Sequence, residues 1–318
     1  MKNIDLDRTL FIPTKSRYDL SIEEWGSESA ARERFISKQK WVNVYKGNQR
    51  QKENLRKIKN RFPAEKIIDR SELTPEIIKD HDLFVSLGGD DHLMYCGQCV
   101  LQYMKENPEE KKYIAGVVLD PVLSSGNVLY FKDVDRFLAD FEIFENGDYL
   151  VEKWTSLEAK VQNGEGVVEP YPTVSTLYIG EYASFLMSRC DAFDGNMELF
   201  VEYKGHKIPF PEKTSGILVA TGIGSGDGSW YDNIYGSYFD RSDEFGRENN
   251  IARVVGRENK KRPLFTLNEE EILVVHSYND NRGIVIPDSH EDHSVDFDMG
   301  SIAEVWISKL KLPVVKPR

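Results

Sequence analysis

The chain is 318 residues long, 40% hydrophobic and 11% aromatic, with a formal net charge of −12. That length allows one large domain or two ordinary ones with sizeable cores. The acidic balance excludes a general nucleic-acid binder, because phosphate backbones are held by Lys and Arg. It does not exclude an anionic small ligand, since a local site can oppose the global charge.

The first residues, Met-Lys-Asn-Ile-Asp-Leu-Asp-Arg, carry acids and no apolar stretch of the kind a signal peptide needs. Thr9 to Pro13 predicts a first strand, followed by a loop at Lys15 to Tyr18. Residues 28–62 are polar, with spaced apolar positions Phe35, Ile36, Trp41, Val44, Leu55 and Ile58, which predicts one or two amphipathic helices. A short strand is expected over Lys66 to Arg70, and a helix start at Thr74-Pro75, with Thr as N-cap and Pro in the first turn. Leu83 to Leu87 has the composition of a buried parallel strand, and a helix runs from there to about Met104. Tyr113 to Leu119 is another apolar strand, ending in Asp120-Pro121. This alternation predicts a doubly wound, mostly parallel α/β sheet over residues 1–132, with ligands at the strand C-terminal ends.

Beyond residue 132 the texture changes. One helix is expected over Asp133 to Phe144, then strands near 152–162, 173–183, 196–203, 215–221, 271–277 and 283–287. This predicts an all-β, sandwich-like domain over 133–300. Residues 237–263 are polar and are expected as a mobile loop. Residues 301–318 are expected as a last strand, near Ile302 to Ile307, and a Pro/Lys tail packing back on the N-terminal domain. The three cysteines, Cys96, Cys99 and Cys190, do not resemble a secreted disulfide framework. Cys96 and Cys99 have redox spacing, but their place on the helix expected after Leu87 favours plain packing. The histidines form no zincin-type pair, and the sequence names no metal ligand set. No run approaches the roughly 18 apolar residues of a membrane span, so a soluble, cytoplasmic protein is expected, without membrane or nucleic-acid partners.

The chemistry concentrates at Gly88-Gly89-Asp90-Asp91-His92. Glycines at the end of a strand let a ligand approach the backbone. N–H groups at the start of the next helix favour a phosphate. A carboxylate there can hold a metal or accept a hydroxyl proton. The same residues also describe a tight strand–helix turn capped by an Asp. A second constellation lies at Thr221-Gly222-Ile223-Gly224-Ser225, a strand running into a glycine-rich turn that suits sugar hydroxyls or phosphates. It lacks the Gly-Lys-Ser/Thr of a Walker A loop. Two such strand tips, one in each half, predict a shared interdomain site.

Four motifs in order then carry a resemblance. Gly88 to Leu93 is similar to Gly-Gly-Asp-Gly-Thr-x-Leu, and Gly116 to Gly126, containing Asp120-Pro121 and Ser124, to Gly-Val-Asn-x-Asp-Pro-x-x-Ser-x-Gly. Thr221 to Ser225 is similar to Thr-Gly-Thr-Gly-Ser, and Val285 to Ser289, containing Asp288, to Val-Val-Asp-Gly. Ile179-Gly180-Glu181 also resembles a family segment. The chain resembles the NAD kinases, most of all the mitochondrial-type enzymes and their bacterial relatives. The resemblance implies transfer of the ATP γ-phosphoryl group, with Mg²⁺, to the 2′-hydroxyl of the adenosine ribose of NAD. It implies Asp90 as the catalytic base or hydroxyl-orienting residue, and a homo-oligomer, dimer or tetramer. It also implies a nucleotide- and phosphate-binding set of Gly88, Gly89, Asp91, His92, Asp120, Ser124, Thr221, Gly222, Gly224 and Ser225.

The chain departs from the family at several points. Asp91-His92 replace Gly-Thr: Asp91 either adds a metal ligand, repels a triphosphate unless Mg²⁺ intervenes, or points away as a cap. Ser175-Thr176 stand where the family has the Asn-Glu that recognises NAD, and neither replaces a Glu accepting from ribose hydroxyls. Val118 replaces Asn, and an insertion after Ser225 brings in Asp227. The acceptor-site candidates are therefore Ser175, Thr176, Glu181, Asp227 and Asp288. Three readings follow: a kinase acting on NAD, a kinase of the same fold acting on a nucleoside, nucleotide or polyol, or a degenerate nucleotide-binding protein.

Overall fold

The computed structural model describes residues 4–35, 38–183, 186–194, 197–198, 200–203, 206–210, 214–225, 245–257, 264–280 and 282–318. Contacts divide the chain into two compact units. The first is Met1–Cys96, Glu109–Val151 and Val314–Arg318, and the second is Gly97–Pro108 and Glu152–Pro313.

The first unit is α/β. Strands β1 (Thr9–Pro13), β2 (Leu83–Gly88) and β3 (Tyr113–Val118) run parallel in that order, and Val314 joins beside Ile114, also parallel. Helices α1 (Arg17–Trp25), α2 (Glu28–Arg34), α3 (Lys38–Arg61) and α4 (Pro75–Lys79) lie between β1 and β2. Helix α5 (Asp90–Glu106) follows β2, and α6 (Val134–Glu145) follows β3. On one face of the sheet Phe11, Val85, Leu87 and Val117 pack with Ile58 of α3 and Phe137, Phe141 and Phe144 of α6. The other face carries the start of α5, where Leu93 sits so close to Gly116 that a Cβ there would stand 2.9 Å from its Cδ2. Helices on both faces explain why all six residues of β2 are buried.

The order of connections locates a crevice. After β1 the chain passes outward to Ile67, which bridges Phe11 in parallel, and then returns across β1 to β2. The next connection, through α5, continues to the far side, to β3. Connections leaving β1 and β2 in opposite directions open a crevice at their C-terminal ends, where open α/β sheets bind ligands.

The second unit is a β-sandwich. Its strands are β4 (Leu150–Asn163), β5 (Gly166–Val168), β6 (Thr176–Glu181), β7 (Cys190–Asp194), β8 (Met197–Glu198), β9 (Phe200–Tyr203), β10 (His206–Pro209), β11 (Ile217–Ala220), β12 (Ile251–Gly256), β13 (Leu264–Asn268), β14 (Leu273–Ser277), β15 (Gly283–Pro287), β16 (Val295–Asp296) and β17 (Ile302–Lys316). Up to Pro313, β17 pairs antiparallel with β14, which pairs with β7, which pairs with β8, and β4 also pairs with β17. The second sheet has the antiparallel order β13-β12-β11-β6-β15-β16. Leu157, Val161, Val275, Val305 and Ile307 of the first sheet interdigitate with Leu177, Ile179, Ile217, Val219, Val254 and Val285 of the second. The two expected classes, a doubly wound α/β part and an all-β sandwich, are both present.

Four local expectations are corrected. The loop at 15–18 gives way to α1, capped by Ser16, whose hydroxyl accepts from the Asp19 N–H, and ended by Gly26 at φ +77°. Lys66 to Arg70 forms only the Ile67 bridge, because a capping box at Asp69 and Glu72 turns the chain into a short 3₁₀ segment. Within 237–263, Ile251–Gly256 is strand β12, with Ala252, Val254 and Val255 buried, while 237–244 and 258–263 lie outside the described residues. The Pro/Lys end is not a tail: β17 continues through Pro313 to Lys316. No described helix is long and apolar enough to cross a membrane. Deleting residues 314–318 removes Val314 and Val315, each 1% exposed, and should lower stability by about 3 kcal/mol or more at the usual value of a buried Val. Urea midpoints of the deleted and full chains check this; a solvated tail would leave them equal.

Candidate active-site segments

In the first unit the glycine turn closes the end of β2 at the crevice. A Cβ on Gly88 would stand 2.9 Å from the Cβ and Cδ2 of His92, and one on Gly89 would stand 2.9 Å from the Ser124 Oγ. Gly88 is therefore required by the buried His92 ring, whereas a Cβ at 89 would ask the Ser124 hydroxyl to turn aside. Gly89 also offers no side-chain oxygen to cap α5, so the first-turn N–H groups are left to other acceptors.

Asp90 begins α5 and is already in use. Its Oδ2 accepts from the Asn127 N–H at 2.9 Å and its Oδ1 from the Val128 N–H at 3.0 Å. The carboxylate ties the loop after β3 to the head of the helix. Each oxygen keeps a further lone pair. Asp91 is exposed. His92 points the other way, into the protein. It is 3% exposed, its Nε2 lies 2.8 Å from the Ile12 carbonyl, and its buried Nδ1 has no hydrogen-bond partner. The carbonyl requires Nε2 to carry the proton. Burial pulls the His92 imidazole down to about 4, outweighing the Ile12 carbonyl, which favours the charged ring.

Asp120 and Ser124 belong to a loop fixed by α3. The Arg50 guanidinium grips buried Asp120 with two bonds of 2.9 Å, and Asp120 Oδ1 also accepts from the Val122 N–H at 3.1 Å. The Asn54 amide donates to the Leu119 carbonyl at 2.9 Å, and the Ser124 N–H to the Asp120 carbonyl at 3.0 Å. Arg50 is absent from the sequence-based candidates because nothing in the polar pattern of α3 marks it.

In the second unit three candidates converge on one backbone segment. The Asp288 carboxylate accepts from the N–H groups of Val174, Ser175 and Thr176 and from the Gln98 side-chain amide, each at 2.8 Å. Its own N–H donates to the Thr176 carbonyl at 2.9 Å. Burial pushes the Asp288 carboxyl up, and the three backbone N–H groups pull against it. Asp288 and Ser289 hold positive φ values of 48° and 67°, uncommon for residues other than glycine. From the opposite side, the Thr221 hydroxyl donates to the Val174 carbonyl at 2.8 Å, and its N–H donates to the Ser175 carbonyl at 2.9 Å. A Cβ on Gly224 would stand 2.3 Å from the Ser175 carbonyl oxygen, and one on Gly222 2.3 Å from that of Gly246. Ser225 closes the turn, its N–H donating to the Thr221 carbonyl at 2.9 Å.

Ser175, Thr176, Asp288 and the 221–225 turn thus form one cluster. Ser175 is half-buried and Thr176 is buried, their hydroxyl oxygens 3.4 Å apart. Glu181 is not with them. It ends β6, and at about 3.3 Å per residue it lies roughly 17 Å along the strand from Thr176. It is 2% exposed and its Oε2 has no hydrogen-bond partner. Asp227 lies outside the described residues. No group of three or more His, Cys, Asp or Glu that can hold a metal occurs among the described residues. None of the cysteines is in a disulfide and all are buried, and burial pushes the Cys190 thiol up to about 12.

No family model and no curated protein matches the sequence. Solved structures do match. Yeast NADH kinase complexed with NADH superposes with a TM-score of 0.62 at 12% identity, covering 98% of this chain and 84% of that one. An NAD kinase from Archaeoglobus fulgidus in complex with ATP superposes with a TM-score of 0.58 at 16% identity, covering 98% and 94%. The fold is NAD kinase-like. Within it, the residues of the Gly-Gly-Asp turn and the Asp288 cluster first serve as internal fastenings.

The depressed His92 value gives a pH signature. A group whose folded value lies near 4 and whose unfolded value lies near 6.5 takes up protons on unfolding between those limits, so its contribution is present above 6.5 and is lost as pH falls toward 4. Between pH 7 and about pH 5 this histidine should cost the fold about 2 kcal/mol. Urea midpoints of the wild type should fall correspondingly further than those of His92→Gln over that interval. Parallel slopes would exclude a neutral, buried His92.

Proposed function

We propose that the chain is a phosphotransferase acting on an alcohol group, with ATP as donor and Mg²⁺, and that its acceptor is the 2′-hydroxyl of the adenosine ribose of NAD. The reading groups it with the mitochondrial-type NAD kinases and their bacterial relatives, as a cytoplasmic homo-oligomer, dimer or tetramer. One observation carries it: Asp90, at the tip of β2 in the crevice between diverging connections, holds a carboxylate whose oxygens each spend one lone pair on the backbone and keep another. Such a group is fixed in place and still accepts a hydroxyl proton, which is what phosphoryl transfer asks of the protein beyond positioning and charge neutralisation.

The residues fit the nucleotide in specific ways. The start of a long helix behind Gly88 and Gly89 favours phosphate oxygens. Mg²⁺ travelling with a triphosphate needs one or two carboxylates and keeps waters. Asp90 and the exposed Asp91 would supply them, while Asp120 is committed to Arg50. When bound, Mg²⁺ neutralises charge on the transferring group. In the first unit Ser124 would offer its hydroxyl to a nucleotide; in the second unit Gly222 would offer its N–H and Ser225 its hydroxyl oxygen, while the Gly224 and Ser225 N–H groups hold the turn. Thr221 and Asp120 act by holding their backbone segments, and His92 by packing.

A different acceptor is the second reading, favoured by the pair of hydroxyls at Ser175 and Thr176, which offers no carboxylate to ribose hydroxyls. Purified protein with ATP, Mg²⁺ and NAD or NADH, assayed for NADP(H), tests the first reading. Product should form, and Asp90→Asn should lower kcat by about a hundredfold or more. That variant also leaves one of two N–H groups poorly paired, costing about 1–3 kcal/mol, so its melting temperature must be read beside its rate. No NADP(H) above the variant's level, with turnover on a nucleoside or polyol, would transfer the assignment to the second reading.

A further inference from the structure

The Asp288 cluster contains two residues that the motifs do not include. Gln98 is fully buried on α5, in the part that belongs to the second unit. Its amide nitrogen donates to Asp288 Oδ2 at 2.8 Å, and its amide oxygen meets the Nδ1 of buried His293. An amide oxygen only accepts, so His293 Nδ1 carries the proton. That bond decides which end of the Gln98 amide faces Asp288. The His293 ring is in turn stacked on Tyr171, centroids 3.9 Å apart and planes 3° from parallel. Gly97 lets the helix close in, since a Cβ there would stand 2.9 Å from Leu312 Cδ2 and 3.3 Å from Val174 Cγ2.

We infer that Gln98, oriented by His293, is a positioning residue for acceptor binding: it fixes the Asp288 carboxylate, which holds the amides of 174–176 and so presents Ser175 and Thr176. The inference rests on the proposed acceptor role of that segment. Three consecutive backbone N–H groups converging on one carboxylate define the path of the chain at the head of β6, and Gln98 is the side chain that, among the described residues, donates to that carboxylate beside them. Releasing Gln98 frees Asp288 to tilt, and the segment follows. Asp90 and Asp91 are not in this chain of contacts, while the 221–225 turn meets the segment from its carbonyl side through Thr221 and Gly224.

Gln98→Glu separates positioning from bulk. The side chain keeps its shape, and one oxygen still accepts from His293. The other now faces Asp288 as a like charge at neutral pH and, when protonated, donates as the amide did. The titratable groups around it are Asp288, His293, His290, Tyr171 and, on its own helix, Cys99. With NAD as the probe at about pH 7.5, KM for NAD should rise by about tenfold or more while KM for ATP and kcat change less. At about pH 5.5 the KM for NAD should return toward the wild-type value, because falling pH favours the shared proton that lets the new carboxyl donate as the amide did. Gln98→Met should show the same rise without recovery at the lower pH. A fall in kcat with both KM values unmoved, or an equal loss at both pH values in Gln98→Glu, overturns the inference. Hydrogen exchange without any substrate keeps the test separate from the acceptor assignment. Protection of the 174–176 amides should drop about tenfold in Gln98→Glu at pH 7.5 and recover at pH 5.5. Unchanged protection would end the inference even if the wild type makes NADP. Lost protection with no wild-type product would end the acceptor reading instead and, with it, the positioning role.

Discussion

The second unit depends on a carboxylate turned inward on its own backbone. Asp288 collects four N–H donors, three of them from successive residues. Removing an ion of this size from water is costly, and only a full set of donors makes it tolerable. The same bonds offset the positive φ at Asp288 and Ser289. They also bring the end of β15 to the head of β6, where Thr221 secures the carbonyl side from the end of β11. Three strand ends of one sheet are thereby fixed at one point.

The first unit solves a related problem with different chemistry. Its loops after β2 and β3 stand at the crevice and are fastened by charged and backbone groups. Arg50 and Asp120 hold one end of the β3 loop, and Asp90 holds the other through two backbone N–H groups. Close glycine contacts replace side-chain packing between them. The turn is thus held rigid before any ligand arrives, the condition under which a fixed carboxylate contributes to a reaction.

Much of this was legible from local pattern. The strand–glycine–helix run at 83–106 and the apolar strand at 113–118 carry their signals in consecutive residues, and both formed as expected. The glycine turns at 88 and 222 were also visible, although pattern cannot tell a glycine needed by a neighbour from one needed by a ligand. Arg50 and Gln98 were not visible. Their partners are 70 and 190 residues away, and only the fold joins them. Gln98 left one trace, a polar side chain within an apolar stretch of helix. The Asp69 capping box and the β17 continuation through Pro313 were missed because local propensity was overruled, in one case by a cap and in the other by strand pairing. Glu181 was named from the resemblance of Ile179-Gly180-Glu181 to a family segment, and the extended strand β6 carries it away from Thr176.

The grip on residues 174–176 uses their backbone and leaves the Ser175 side chain half-exposed. A position whose main chain is secured and whose side chain is not required by the core behaves as an interchangeable tool holder. Replacing Ser175 changes the exposed chemistry of the segment without repacking the sandwich, so under the proposed acceptor role the preference for one hydroxyl compound over another can drift by single substitutions. Thr176, buried beside Gly224, lacks that freedom. Under that role, diversification should begin at 175 and reach 176 only with a compensating change in the 221–225 turn.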